Sequence, residues 1–389
     1  MNQGKFVFSQ LLALVSSTSF STCVNRYNGN YKVKHFTCWK QFLCMVFGQL
    51  THRESLSDTM LCLSANADKL YHLGIGEAVS LSTLSKANEK RDWQIFADLA
   101  MVLIAEAKQL YVHDHGEVEL TNEVFAIDAT VIDMCLSVFS WAKFRTTKAA
   151  IKLHTQLNVK TGIPEFICIT TGKVHEVNVL DLMSFQRDSF YVLDRGYTDF
   201  ERLYRIHTSG AFFVIRAKDN LHFNRIKSET VNKSEHVLCD QTIKLSNYYS
   251  SKDYPIHLRR IKFLDTKNNI KLVFLTNNFE CKPTDIAALY KHRWKIELFF
   301  KWIKQHLKIK SFWGTSANAV KTQIWIAICS YVIVAIAKKR FGLKQTLYEI
   351  LQVVSINVFD KSPIENLFDK PIQQNDKELF PANQLSIFE

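Results

Sequence analysis

Between residues 124 and 216 the chain alternates strand-like and helix-like stretches in an order that few folds accommodate. VFAIDATVI (124–132), IKLHTQLNV (151–159) and EFICIT (165–170) are rich in β-branched and aromatic residues, and Gly162-Ile163-Pro164 turns the chain between the last two. VNVLDLMSFQR (177–187) reads as a helix, SFYVLD (189–194) as a short buried strand, DFERLYRIH (199–207) as a second helix and AFFVIR (211–216) as a further strand. This order suits three antiparallel strands extended by parallel ones through crossover helices.

That is the order of a ribonuclease H-like core, and the flanking sequence reads as additions to it. Residues 1–118 read as a helical accessory or DNA-binding domain: 40–50 is densely apolar, and Phe96, Leu99, Ala100 and Leu103 recur at helical spacing. The hydroxyls of SLSTLS (80–85) suit capping, which leaves open either a DNA-reading helix–turn–helix or an ordinary helical hairpin. The N-terminal MNQGKFVFSQLLALVSS reads as a first helix, because Ser9 and Gln10 break the apolar stretch a signal peptide would need. Residues 119–216 form the first part of the core, and 217–280 a β insertion with strands at 257–264 and 271–276. Residues 281–345 complete the core, and 346–389 form a C-terminal region whose last 30 residues read as a loose tail. The expected class is therefore mixed, α+β or α/β.

Charge narrows the partners. A formal +12 and a pI near 9.1 favour a polyanion, nucleic acid ahead of a membrane surface. The apolar stretch 324–337 reads as a buried helix rather than a membrane span. Nine scattered cysteines without a CxxC pair read as reduced, mostly buried thiols of a cytoplasmic protein. Gly74-x-Gly76 lacks a third glycine and no Walker lysine motif appears, so no nucleotide cofactor is expected.

The stretch LYKHRWKIELFFKWIKQHLKIK (289–310) sets one carboxylate, Glu297, among Lys291, Arg293, Lys295, Lys301, Lys304, Lys308 and Lys310. On a continuous helix, Tyr290, Arg293, Glu297 and Lys304 fall within an arc of about 60°. Ile296, Phe299, Phe300, Ile303 and Leu307 make the opposite, apolar face. A solvated Glu297 would pair with Arg293 and Lys301 for only about 0.3–0.5 kcal/mol each. Two other acids make a stronger reading available: Asp128 inside the strand FAIDAT and Asp194 at the carboxyl end of FYVLD. An aspartate within a buried strand needs a partner, a proton or a metal to replace lost hydration. Three such oxygen ligands suit hard divalent cations, and a pair of ions suits in-line phosphoryl transfer.

These residues resemble a known family. Tyr290-x2-Arg293-x3-Glu297-x6-Lys304 is similar to the YREK signature of IS4-family insertion-sequence transposases of the DDE group. IDATVID (127–133), WAKFRTTKAAIKLHT (141–155) and VLDRGY (192–197) resemble that family's Asp motifs and the segment after the first. The resemblance covers about 120–315. It implies a catalytic, metal-binding triad of Asp128, Asp194 and Glu297 using two Mg²⁺ ions, or Mn²⁺, with Tyr290, Arg293 and Lys304 on the transposon end. It further implies cleavage at element ends, joining to target DNA, terminal inverted repeats as the double-stranded DNA substrate, and a homodimer holding two ends. An element-derived repressor and a nuclease without strand transfer remain alternatives.

Other positions carry less. Residues 134–164 contain no acid but include Lys143, Arg145, Lys148, Lys152 and Lys160, which suits a phosphate-tracking strip or a solvated basic loop. Trp294 borders the polar stripe and would stack on a base or shield the site. Asp133 is expected to end its strand, and His154 and His175 to be structural.

Overall fold

The computed structural model describes residues 4–114, 121–306 and 312–368. The 118/119 boundary, Leu307, Lys308, Lys310 and the last part of the tail lie outside the described residues.

Six helices come first: α1 (Val7–Leu12), α2 (Ser17–Arg26), α3 (Cys38–Leu50), α4 (Leu56–Ser64), α5 (Leu81–Lys90) and α6 (Gln94–Tyr111). Ser80 caps α5 by accepting from the Thr83 N–H, in keeping with the hydroxyl-rich segment around it. The core strands come next: β1 (Val124–Met134), β2 (Lys143–Arg145), β3 (Lys148–Asn158), β4 (Pro164–Thr171) and β5 (Phe190–Leu193), then α7 (Phe200–Thr208) and β6 (Phe212–Arg216). Gly162, at φ +71°, takes the left-handed conformation that lets the β3–β4 hairpin close. β4, β3 and β1 are antiparallel, and β5 and β6 add in parallel beyond β1, which is the ribonuclease H-like arrangement.

The insertion departs from expectation. It contributes four strands, β7 (Phe223–Ser228), β8 (Val237–Leu245), β9 (Leu258–Asp265) and β10 (Ile270–Thr276), with the short helix α8 (Tyr248–Asp253) between β8 and β9. β10 pairs antiparallel with β6, so these strands prolong the core sheet to ten. β7 is an exposed edge strand with no apolar face to betray it, and β8 hides behind Asp240, a buried acid held by Arg259 at 2.7 Å. Nor is 177–187 an α-helix. It holds a 3-10 turn, Glu176–Leu182, whose buried residues Val179 and Leu180 are neighbours rather than the three or four apart that an amphipathic α-helix needs, and Met183 closes it.

The remaining helices are α9 (Pro283–Lys291), α10 (Trp294–His306), α11 (Ala317–Arg340) and α12 (Leu347–Asn357). α11 is long and apolar enough to span a bilayer, yet 94% of its most apolar window is buried within this fold, against α3, α5 and α6. It is the central helix of the larger apolar cluster, which runs from Phe6 to Ile364. Four of the nine cysteines are buried, four half-buried and Cys135 exposed, so burial of the thiols is less complete than expected.

Strand alternation decides which side chains share a face. Val124, Ala126, Ile132 and Met134 of β1 face the larger cluster, and Phe125 and Ile127 face a second one with Tyr191, Leu193 and Leu203. Phe190 and Val192 of β5 also face the larger cluster. Asp128 and Asp194 continue these series, which puts both carboxylates on the face covered by α9 and α10.

Candidate active site

Register brings the first two acids together. β1 and β5 are parallel with Ala126 beside Val192 and Ile127 beside Leu193, so the next step along both chains sets Asp128 beside Asp194. The Asp128 side chain is four-fifths buried. Burial pushes its carboxyl up to about 6; the Ala129 N–H at 2.8 Å and Arg293 pull the other way, while Asp194 and Glu176 add to the rise.

The third acid arrives on a helix that is not continuous. α9 ends at Lys291 and α10 begins at Trp294, with Arg293 N–H donating to Tyr290 O and Ile296 N–H to Arg293 O, both at 3.1 Å and both three residues back. This 3-10 tightening corrects the single stripe expected from the sequence: Tyr290 and Glu297 sit on different helices. The side chains still converge. The Tyr290 hydroxyl is 3.5 Å from Asp194 Oδ1, and its ring packs on Phe274 at 4.8 Å between centroids. Arg293 donates through Nη1 to Asp128 Oδ2 at 3.0 Å and through Nη2 to Glu297 Oε1. Lys304 Nζ donates to the carbonyl of Val131 on β1 at 2.8 Å. Ile296, Phe299, Phe300 and Ile303 are buried and anchor α10 beneath this polar side.

Arg293 therefore stands between Asp128 and Glu297. Among the described residues no three His, Cys, Asp or Glu side chains are close enough together to hold a metal ion as they stand. The donor chemistry nonetheless fits a hard cation: all donors are carboxylate oxygens, and the buried Asp128 lacks positive charge even with Arg293 beside it. Glu297, 55% exposed, is the most open of the three.

The outlying positions divide. Lys143, Arg145 and Lys148 are exposed on and around the β2–β3 hairpin, open to a polyanion. Lys152 and Lys160 are not part of such a strip, since Lys152 Nζ pairs with Glu176 at 3.3 Å and Lys160 Nζ donates to Thr121 O. Trp294 is half-exposed at the start of α10. Asp133 does not end its strand, because β1 runs on to Met134; it is exposed on the face opposite Asp128. His154 is fully buried against Thr170 Oγ1 at 2.8 Å, and His175 is exposed.

Sequence reasoning missed Glu176 and Tyr197, and it set Lys152 in the basic strip rather than beside Glu176. Glu176 follows a lone His in a short turn, without periodicity to mark it, and Tyr197 stands in the sequence only as the end of a motif. The usable signal was Lys152, a charge inside an otherwise apolar strand that has to find a partner.

A family model described as a transposase DDE domain matches residues 119–333, and one described as a domain of unknown function matches residues 3–76. A Sinorhizobium fredii protein named as transposase y4zB is 30% identical over 72% of this chain and 78% of its own length. A Geobacillus stearothermophilus protein named as a transposase for insertion sequence element IS5377 is 28% identical, over 65% of this chain and 66% of its own. A Synechocystis protein named as a transposase for element IS4SA is 27% identical, over 66% and 72%.

Proposed function

Because this chain belongs to the transposase DDE domain family, we propose that Asp128, Asp194 and Glu297 form its catalytic triad, in the manner of IS4-type elements. The chain is a DNA transposase, an enzyme of insertion-sequence type that acts on DNA with divalent metal. Its substrates are the terminal inverted repeats of its own element and the target DNA, with two copies of the chain holding two ends. The observation that carries the reading is that Arg293 ties the acid of β1 to the acid of α10 while Tyr290 reaches Asp194.

Asp128, Asp194 and Glu297 would hold two Mg²⁺ or Mn²⁺ ions, whose chemistry when bound is to polarise the attacking oxygen and neutralise the leaving one. The rest belongs to the protein. Phosphate entering the site competes for Arg293, whose fork matches two phosphate oxygens, and draws it off the carboxylates so that Glu297 can turn toward the aspartates. Tyr290 and Lys304 keep the phosphate in line, Lys304 as a point charge and Tyr290 through its hydroxyl. Trp294 and the Lys143, Arg145 and Lys148 hairpin extend the DNA track on either side. In each step a P–O bond forms to water or to a 3′-hydroxyl as the P–O3′ bond breaks.

Joining of a pre-cleaved element end to plasmid tests this. The purified chain with Mg²⁺ should yield joined products that are lost in chelator. Binding without joining points to a repressor, and nicking without joining to a nuclease.

A further inference from the structure

We propose that Glu176 is a fourth carboxylate of the active site, an oxygen ligand toward divalent cation beside Asp194 that Lys152 holds in reserve. This rests on the proposed catalytic triad and extends it to a residue outside the three.

Three observations carry it. Glu176 opens the 3-10 turn after β4 and reaches the carboxyl end of β5, where a methyl group placed on Gly196 would lie 3.8 Å from Glu176 Oε2 and 3.9 Å from Asp194 Oδ2. The two carboxylates thus flank a residue with no side chain, leaving the space between them open. The second is Tyr197, 1% exposed, whose hydroxyl is buried without a hydrogen-bond partner. Burial raises that hydroxyl's pKa, and the nearby charges of Asp128, Glu176 and Asp194 each add to the rise. A buried hydroxyl left without a partner is costly, and it marks a position where a ligand or its water completes the bonding. The third is Lys152, 11% exposed, with Nζ 3.3 Å from Glu176 and 3.0 Å from Val174 O. Val131, opposite Lys152, is on the other face of β1 from Asp128, so Glu176 approaches the site from the far side of the sheet. Glu176 would add its oxygen from the Asp194 side, and Lys152 neutralises it until a cation arrives.

The test is equilibrium Mn²⁺ binding to the full chain, followed by free-Mn²⁺ paramagnetic resonance, with the Mn²⁺-dependent rise in Tm measured in parallel to confirm folding. Glu176→Gln should weaken Mn²⁺ binding by about 10-fold or more, Glu176→Asp should recover part of it, and Lys152→Met should tighten it by removing the competing charge. Unchanged affinity in folded Glu176→Gln, with binding lost in Asp128→Asn and Asp194→Asn, overturns the role of Glu176 while leaving the triad intact. Unchanged affinity in all of them, or no Mn²⁺ uptake by the unsubstituted chain, overturns both.

Discussion

Arg293 and Asp128, 165 residues apart in sequence, are joined by a 3.0 Å ion pair that ties the break between two helices to the central strand of the sheet. The same guanidinium holds Glu297, so one cation compensates two acids that the proposed chemistry needs free. The pair is four-fifths buried on both sides.

Arg293→Ala should therefore act on stability before it acts on DNA. Removing one partner of a fully buried pair costs about 3–5 kcal/mol, and the residual exposure here lowers that to roughly 2 kcal/mol. Urea unfolding without metal should show the loss, and Mn²⁺ should restore most of it by supplying the missing charge. End binding should also weaken, with a flatter salt dependence. A variant as stable as the parent would place the guanidinium outside the charge balance of the site.

Lys304→Ala separates phosphate grip from strand support. If Lys304 contacts DNA, the slope of log affinity against log salt for end DNA should fall in magnitude by about 1. If it serves only to satisfy the Val131 carbonyl, stability falls and the slope stays. Titrations at several salt concentrations decide between them.

His154 makes a prediction about pH. Burial, reinforced by Lys152, lowers its pKa from 6.5 to about 4. The unfolded chain then binds a proton that the folded chain refuses, so this residue's contribution is present above pH 6.5 and is lost as pH falls toward 4. Between pH 7.5 and 5 the loss is about 2 kcal/mol. His154→Gln, which can keep a bond to Thr170, should unfold in urea with a correspondingly shallower pH dependence; an identical dependence would assign the proton uptake elsewhere.

The two aspartates were legible in the sequence because Asp128 interrupts a strand and Asp194 directly follows one, with apolar neighbours that fix the face, and the parallel register of β1 and β5 does the rest. The break in the YREK stretch was not legible. Two residues of 3-10 tightening at His292 and Arg293 leave the apolar spacing of Ile296, Phe299 and Ile303 intact, so the pattern reads as one helix. β7 and β8 escaped for opposite reasons: one has no buried face, and the other buries a charge whose partner, Arg259, lies 19 residues on. Glu176 was invisible because a one-turn element has no period, and its meaning comes only from Lys152, Gly196 and Tyr197 in space.

Glu297 is the acid on which the catalytic account depends most, since it is half-exposed and already paired with Arg293 four residues away. The direct measurement compares Glu297→Gln with the parent chain in end binding without metal and in strand joining with Mg²⁺. The substitution keeps size and removes a charge near phosphate, so affinity for end DNA should hold or rise. Joining should drop by about 10³-fold or more, as loss of a group acting in the transition state requires. Near-normal joining by a folded, DNA-binding Glu297→Gln would contradict the account and reduce Glu297 to the surface partner of Arg293.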